Sequence, residues 1–145
     1  QGISALIGNS NSSNQDIKLC ETLLQAVGDT VVLESESQMD AVTAVSGSGP
    51  AYVFHLIEAL AAAGVNQGLS AQLAMKLAKK TVAGAGALAF HSEESPEQLR
   101  VNVTSPGGTT QAALEILMDV ETGFPKVLLE GVKAAANRSK ELGKA

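Results

Sequence analysis

Ser95-Pro96-Glu97-Gln98-Leu99-Arg100-Val101-Asn102-Val103-Thr104-Ser105-Pro106-Gly107-Gly108-Thr109-Thr110 contains two helix starts separated by one chain reversal. Ser95 is a helix-capping residue, Pro96 suits a first helical position, and Gln98 stands where a capping box wants it. The pattern predicts a short helix from Pro96 to about Val103. The loop Val103–Thr110 then packs hydroxyls, a rigid turn residue and two glycines together. Thr109 or Thr110 opens the next helix, which carries Leu114, Leu117 and Met118 and ends near Gly123. A helix N-terminus offers unpaired N–H groups and the positive end of its dipole. Facing this loop, it suits a small carboxylate, with a hydroxyl left for a second contact.

The same punctuation repeats outward. Ser13 caps a helix with Ile17, Cys20, Leu23, Leu24 and Val27 on one face, closed by Gly28. Thr30-Val31-Val32-Leu33 reads as a lone edge strand after a Ser/Asn/Gly-rich leading segment. A helix is predicted over 38–45. Pro50 starts another that buries Val53, Leu56, Ile57 and Leu60 and stops at Gly64. Ser70 starts a long one to about His91, with Leu73, Leu77, Val82 and Leu88 among alanines. Gly84 and Gly86 weaken it by roughly 1 kcal/mol each relative to Ala, a cost that predicts close contact with another backbone. Pro125 opens the last helix, with Leu128, Leu129, Val132 and Ala136 inward. No βαβ alternation is evident, and the fold class is all-α.

The chain has 145 residues, 45% of them hydrophobic but only 3% aromatic, so one domain over residues 1–145 with tightly packed helices is expected. The net charge of −5 and scattered cations exclude a basic nucleic-acid face. No apolar run reaches the ~20 residues of a membrane span. Gln1 is not preceded by Met or a signal-like segment, so the chain reads as a piece of something longer. Cys20 is alone, without a disulfide partner or metal-ligand spacing, and reads as a buried, inert thiol in a reducing compartment.

Gly47-Ser48-Gly49-Pro50 invites a dinucleotide-binding reading, which fails. The fingerprint needs a third glycine where Tyr52 stands, and Pro50 removes an amide. A kink between helices explains the segment better. His55 and His91 lack partners at ligand spacing, so no metal site is expected. Glu93-Glu94 reads as a solvated pair, with a functional role left open.

Leu99 through Asp119, with the 103–110 loop inside it, resembles the signature of the pyrroline-5-carboxylate reductase family. Asp40 through Phe54 with Glu58-Ala59, and Arg138-Ser139, are similar to the same family. The resemblance implies an all-α bundle of long helices, through which two subunits interlock as a homodimer that often assembles further. It implies that NADPH or NADH is bound mainly by an N-terminal Rossmann domain absent from this chain, which alone is inactive. The implied reaction reduces 1-pyrroline-5-carboxylate to L-proline in the cytoplasm. The substrate carboxylate would rest on Ser105, Gly107, Gly108 and Thr109, largely through amides. The Thr110 hydroxyl would serve the ring nitrogen, Val103 would pack on the ring, and Glu93 would reach the substrate amine across the dimer interface. Two other readings stay open: a non-enzymatic dimerisation or interaction module, and the helical domain of another Rossmann-linked oxidoreductase. The latter would call for a cation cluster at the loop, where the nearest cation in sequence is Arg100.

Overall fold

The computed structural model describes residues 2–144. They form two compact units, one made of the chain up to Gly49 together with the segment from Glu130 on, the other of Pro50–Leu129.

The first unit begins with a β-α-β motif. Strand β1 (Ile3–Leu6) and strand β2 (Asp29–Val32) pair in parallel, Ile3 opposite Asp29 and Leu6 opposite Val32, with helix α1 (Asn14–Leu24) between them. This corrects the lone-strand reading and the absence of βαβ alternation. A four-residue strand carries too little periodicity to announce itself, and its partner lies a whole helix away. Ser13 caps α1 as expected, in a full capping box with Asp16. Cys20 is exposed, against expectation. Ile17 and Leu24 are the half-buried apolar residues of α1, whereas Leu19, Cys20, Leu23 and Val27 face outward.

A 3-10 turn (Glu36–Gln38) and the one-turn α2 (Met39–Val42) follow. The predicted 38–45 helix then widens into a π-helical turn, Thr43–Gly47, closed by Ser48 N–H donating to Thr43 O at 2.8 Å. The kink expected at Ser46–Pro50 is realised as this π turn. The distal part of helix α7 (Phe124–Leu142) completes the unit, and the Ser139 hydroxyl donates to Asp40 Oδ1 at 2.6 Å.

In the second unit, helix α3 (Gly49–Asn66) does not stop at Gly64. A methyl group on Gly64 would lie 3.2 Å from Ala74 Cβ, so the glycine marks close approach of the next helix. The true C-terminal glycine is Gly68, at φ +95°. Gly68 N–H donates to Val65 O and Leu69 N–H to Gly64 O, a Schellman closure. Ser70 then caps helix α4 (Ala71–His91) by accepting from Leu73 N–H. The packed core between α3 and α4 is Ala61, Ala74 and Ala78, flanked by Ile57 and Met75. Val53, Leu60, Leu73, Leu77 and Leu88 stay exposed, as do Leu128 and Leu129 on α7. Nothing within 4 Å would meet a side chain at Gly84 or Gly86. Periodicity identified these faces as apolar but could not say that the chain itself leaves them uncovered.

Helix α5 (Pro96–Asn102) and helix α6 (Thr109–Leu117) bracket the loop predicted between them. Helix α6 ends six residues short of Gly123, which instead leads into α7. Between them, the Asp119 carboxylate accepts from the Thr122 hydroxyl at 2.8 Å and from the Glu121 and Thr122 amides at 2.9 and 2.7 Å.

Two consequences are measurable. A methyl group at Gly123 would stand 2.5 Å from Leu117 O and 2.6 Å from Asp119 O. Gly123→Ala is therefore expected to destabilise the chain by about 1–3 kcal/mol in urea unfolding. The Thr122 hydroxyl, followed by the two amides, holds the Asp119 pKa below its usual 3.8. A lowered folded-state pKa stabilises above the unfolded value and loses that contribution as pH falls through the folded one. The stability gap between the wild type and Asp119→Ala should be full at neutral pH and shrink below about pH 4, as thermal unfolding across pH will show.

Candidate functional site

The loop is built from both ends. Ser95 accepts from Gln98 N–H at 3.1 Å and starts α5, but the expected capping box is only half made. Gln98 Nε2 donates instead to Asn102 Oδ1 at 2.8 Å, and Asn102 Nδ2 donates to Glu94 Oε2 at 2.9 Å. Thr104 ends the helix, its hydroxyl donating to Arg100 O at 2.6 Å. Val103, at the end of α5, leaves its side chain exposed.

The reversal itself is a turn over Ser105-Pro106-Gly107-Gly108, closed by Gly108 N–H donating to Ser105 O at 3.0 Å. Proline second and a glycine at φ +70° third make it type II. Gly107 is there for its backbone conformation. Gly108 is there for space, since a Cβ would stand 3.0 Å from Ser105 O. Both glycines thus have a local structural reason.

Gly108 is also the N-cap of α6, and no side chain caps that helix. The first three amides of α6, those of Thr109, Thr110 and Gln111, therefore have no hydrogen-bond acceptor among the described residues. The Gly107 and Gly108 amides do: Gly107 N–H donates to Gln111 Oε1 at 2.7 Å. The open donors thus lie further along the chain than the paired glycines suggested. The half-buried Thr110 bears its hydroxyl beside them.

The structure places Val103, Ser105, Gly107, Gly108, Thr109 and Thr110 on this one loop and helix start. Glu93 lies apart, on the connector between α4 and α5, and no hydrogen bond joins it to the loop. Glu94, its neighbour, is the residue tied to α5. Sequence reasoning missed Gln111, although a glutamine at the third position of a helix is a known capping signal. It also missed the Glu94–Asn102–Gln98 chain.

A cavity of about 340 Å³ opens between α5 and α6, lined by Arg100, Thr104, Gln111 and Glu115 among others. None of Ser105, Gly107, Thr109 or Thr110 lines it. Arg100 pairs with Glu97 at 3.8 Å. The cavity is thus lined by Gln111 but not by Thr109 or Thr110. The described residues contain no group of His, Cys, Asp and Glu able to hold a metal ion, and no helix long and apolar enough to cross a membrane. His55 pairs with Glu58 at 3.1 Å on an exposed helix face. In the β1–α1 connection, Ile17 Cδ1 lies 2.8 Å from where a Cβ on Gly8 would sit, so that glycine makes room for the helix.

Comparison with known proteins gives these features a context. The profile of the family described as pyrroline-5-carboxylate reductase dimerisation matches residues 36–142. The pyrroline-5-carboxylate reductase of Synechocystis sp. is 46% identical over 143 residues, covering 99% of this chain and 52% of that protein. The Pseudomonas aeruginosa enzyme is 44% identical, covering 98% and 51%. Among solved structures, a pyrroline-5-carboxylate reductase from Coxiella burnetii superposes with a TM-score of 0.88 at 38% identity, covering 97% of this chain and 51% of that one. The Plasmodium falciparum pyrroline carboxylate reductase with NADP bound gives 0.79 at 35%, covering 96% and 53%. The chain spans about half the length of the curated relatives it matches. It belongs to the pyrroline-5-carboxylate reductase family, of which it carries the dimerisation part.

Proposed function

We propose that this chain supplies the substrate-carboxylate half of a reductase that converts 1-pyrroline-5-carboxylate to L-proline. The observation that carries the reading is the set of unshared amides of Thr109, Thr110 and Gln111 beside the Thr110 hydroxyl. A carboxylate held by those amides fixes the ring at one edge, and helix polarity favours its charge. Gly107 and Gly108 shape the turn, Ser105 adds a hydroxyl, and Val103 offers an apolar surface for the ring. Reducing an imine carbon leaves a nitrogen that must gain a proton. On this reading the Thr110 hydroxyl hydrogen-bonds that nitrogen and stabilises the charge that develops there.

NADPH or NADH supplies the hydride when bound. On this reading its binding belongs mainly to the half of the relatives' length that this chain does not span. Cys20 has no second cysteine to pair with, which suits a reducing cytoplasm.

Uncovered apolar helix faces support dimerisation through this chain. Among the described residues, the buried hydrophobic ones are all alanines, and no large side chain is fully buried. Helix α4 leaves Leu73, Leu77, Leu88 and Phe90 outward beside Gly84 and Gly86, which nothing in the chain approaches. A second copy backing onto these glycines gives them the close contact that their cost in helix stability demands. The same arrangement can bring Glu93 of one copy toward the platform of the other.

In the full-length enzyme, Thr110→Ala is expected to lower kcat roughly 10²–10³-fold, as loss of one preorganised donor does. Steady-state kinetics showing an unchanged rate would remove this residue from the chemistry. Gly84→Leu, which meets nothing inside the chain, should leave helix content intact by circular dichroism yet dissociate the dimer in analytical ultracentrifugation. A Gly84→Leu protein that remains fully dimeric would show that the partner does not sit there.

A further inference from the structure

The turn that presents the open amides is held by a side chain to which the chemistry above gives no task. Gln111 Oε1 accepts the Gly107 N–H at 2.7 Å, and Gln111 Nε2 donates to Glu115 Oε1 at 3.3 Å. Donor and acceptor logic fixes both ends. A carboxylate only accepts, so the NH₂ of the glutamine faces Glu115 and its oxygen faces Gly107.

Type I and type II turns differ by a flip of the central peptide, here Pro106–Gly107. Gly107 tolerates either state, because glycine crosses to positive φ without steric cost. No neighbouring atom lies within 4 Å of a Cβ direction at Gly107, so side-chain space is not what holds this residue in place. The Gly108–Ser105 bond closes the turn but is compatible with both. The tie on the central peptide itself is the one from Gln111.

We propose that Gln111 is a positioning residue: oriented by Glu115, it locks the Pro106–Gly107 peptide so that α6 meets a carboxylate with a fixed set of donors. Without the strap the peptide rotates, Gly107 N–H leaves its acceptor, and the first turn of α6 loses its rigid approach. The inference rests on the carboxylate reading of this loop. It assigns Gln111 to binding, not to the proton at the ring nitrogen.

The test uses the full-length enzyme. Gln111→Leu is expected to raise KM for 1-pyrroline-5-carboxylate about tenfold, the worth of one positioning hydrogen bond, with kcat near the wild-type value. Hydrogen–deuterium exchange of the segment holding Gly107 should quicken in the same variant. The exchanged pair Q111E with E115Q restores an acceptor toward Gly107 and a donor between the two side chains, and should return KM toward wild type. An unchanged KM in Gln111→Leu, a parallel fall in kcat, or failure of the exchanged pair to recover would each overturn the strap. If the wild-type enzyme is inhibited as strongly by L-prolinamide as by L-proline, the carboxylate reading fails as well. If it prefers L-proline while Gln111→Leu has a normal KM, the strap alone fails.

Discussion

A single peptide orientation governs the loop between α5 and α6. With Gly107 at positive φ and Gly108 closing onto Ser105, the chain reverses and enters α6 without a capping side chain. Capping normally satisfies the first amides of a helix. Here a glycine occupies the cap, and those amides are left outward, unshared. On the proposed reading, local stability is given up at the point where the substrate anion gains most from finding donors already in place. Much of the surrounding hydrogen bonding serves that entrance: Ser95 and Thr104 define the two ends of α5, and Gln98, Asn102 and Glu94 brace it.

Helices α3 and α4 are held together by very little within one chain. Alanine against alanine lets α3 and α4 come close, but alanine buries little apolar area, so the contact contributes little by itself. Larger apolar side chains on both helices point elsewhere. The same residues that would make a conventional core form a surface that gains its hydrophobic stabilisation only when covered.

What was legible in the sequence was mostly local. Ser13, Ser70 and Ser95 cap helices where their spacing said they would, and Pro125 lies in the first turn of α7. The loop at 103–110 stood out because glycine, proline and hydroxyls converge there. What was hidden depends on distance or on geometry finer than residue type. The pairing of Ile3–Leu6 with Asp29–Val32 needs knowledge of two segments at once. The π turn at Thr43–Gly47 is one residue per turn wider than an α-helix, a difference no side chain there declares. Gly64 and Gly68 are both plausible helix ends, and only the positive φ of Gly68 separates them. Composition showed that the 103–110 loop was rich in amides, but not that Gly107 and Gly108 would use theirs internally while Thr109 to Gln111 would not.

The unit that contains β1 and β2 also takes in the end of α7, and the bond from Ser139 to Asp40 spans most of the chain. During synthesis, residues 50–129 leave the ribosome before that unit can be closed. The middle of the protein can therefore fold while its two flanks still wait for each other, and the last helix acts as the clasp. A premature stop in α7 ahead of Ser139 would leave Asp40 without its hydroxyl partner even though every residue of the proposed anion platform had already been made.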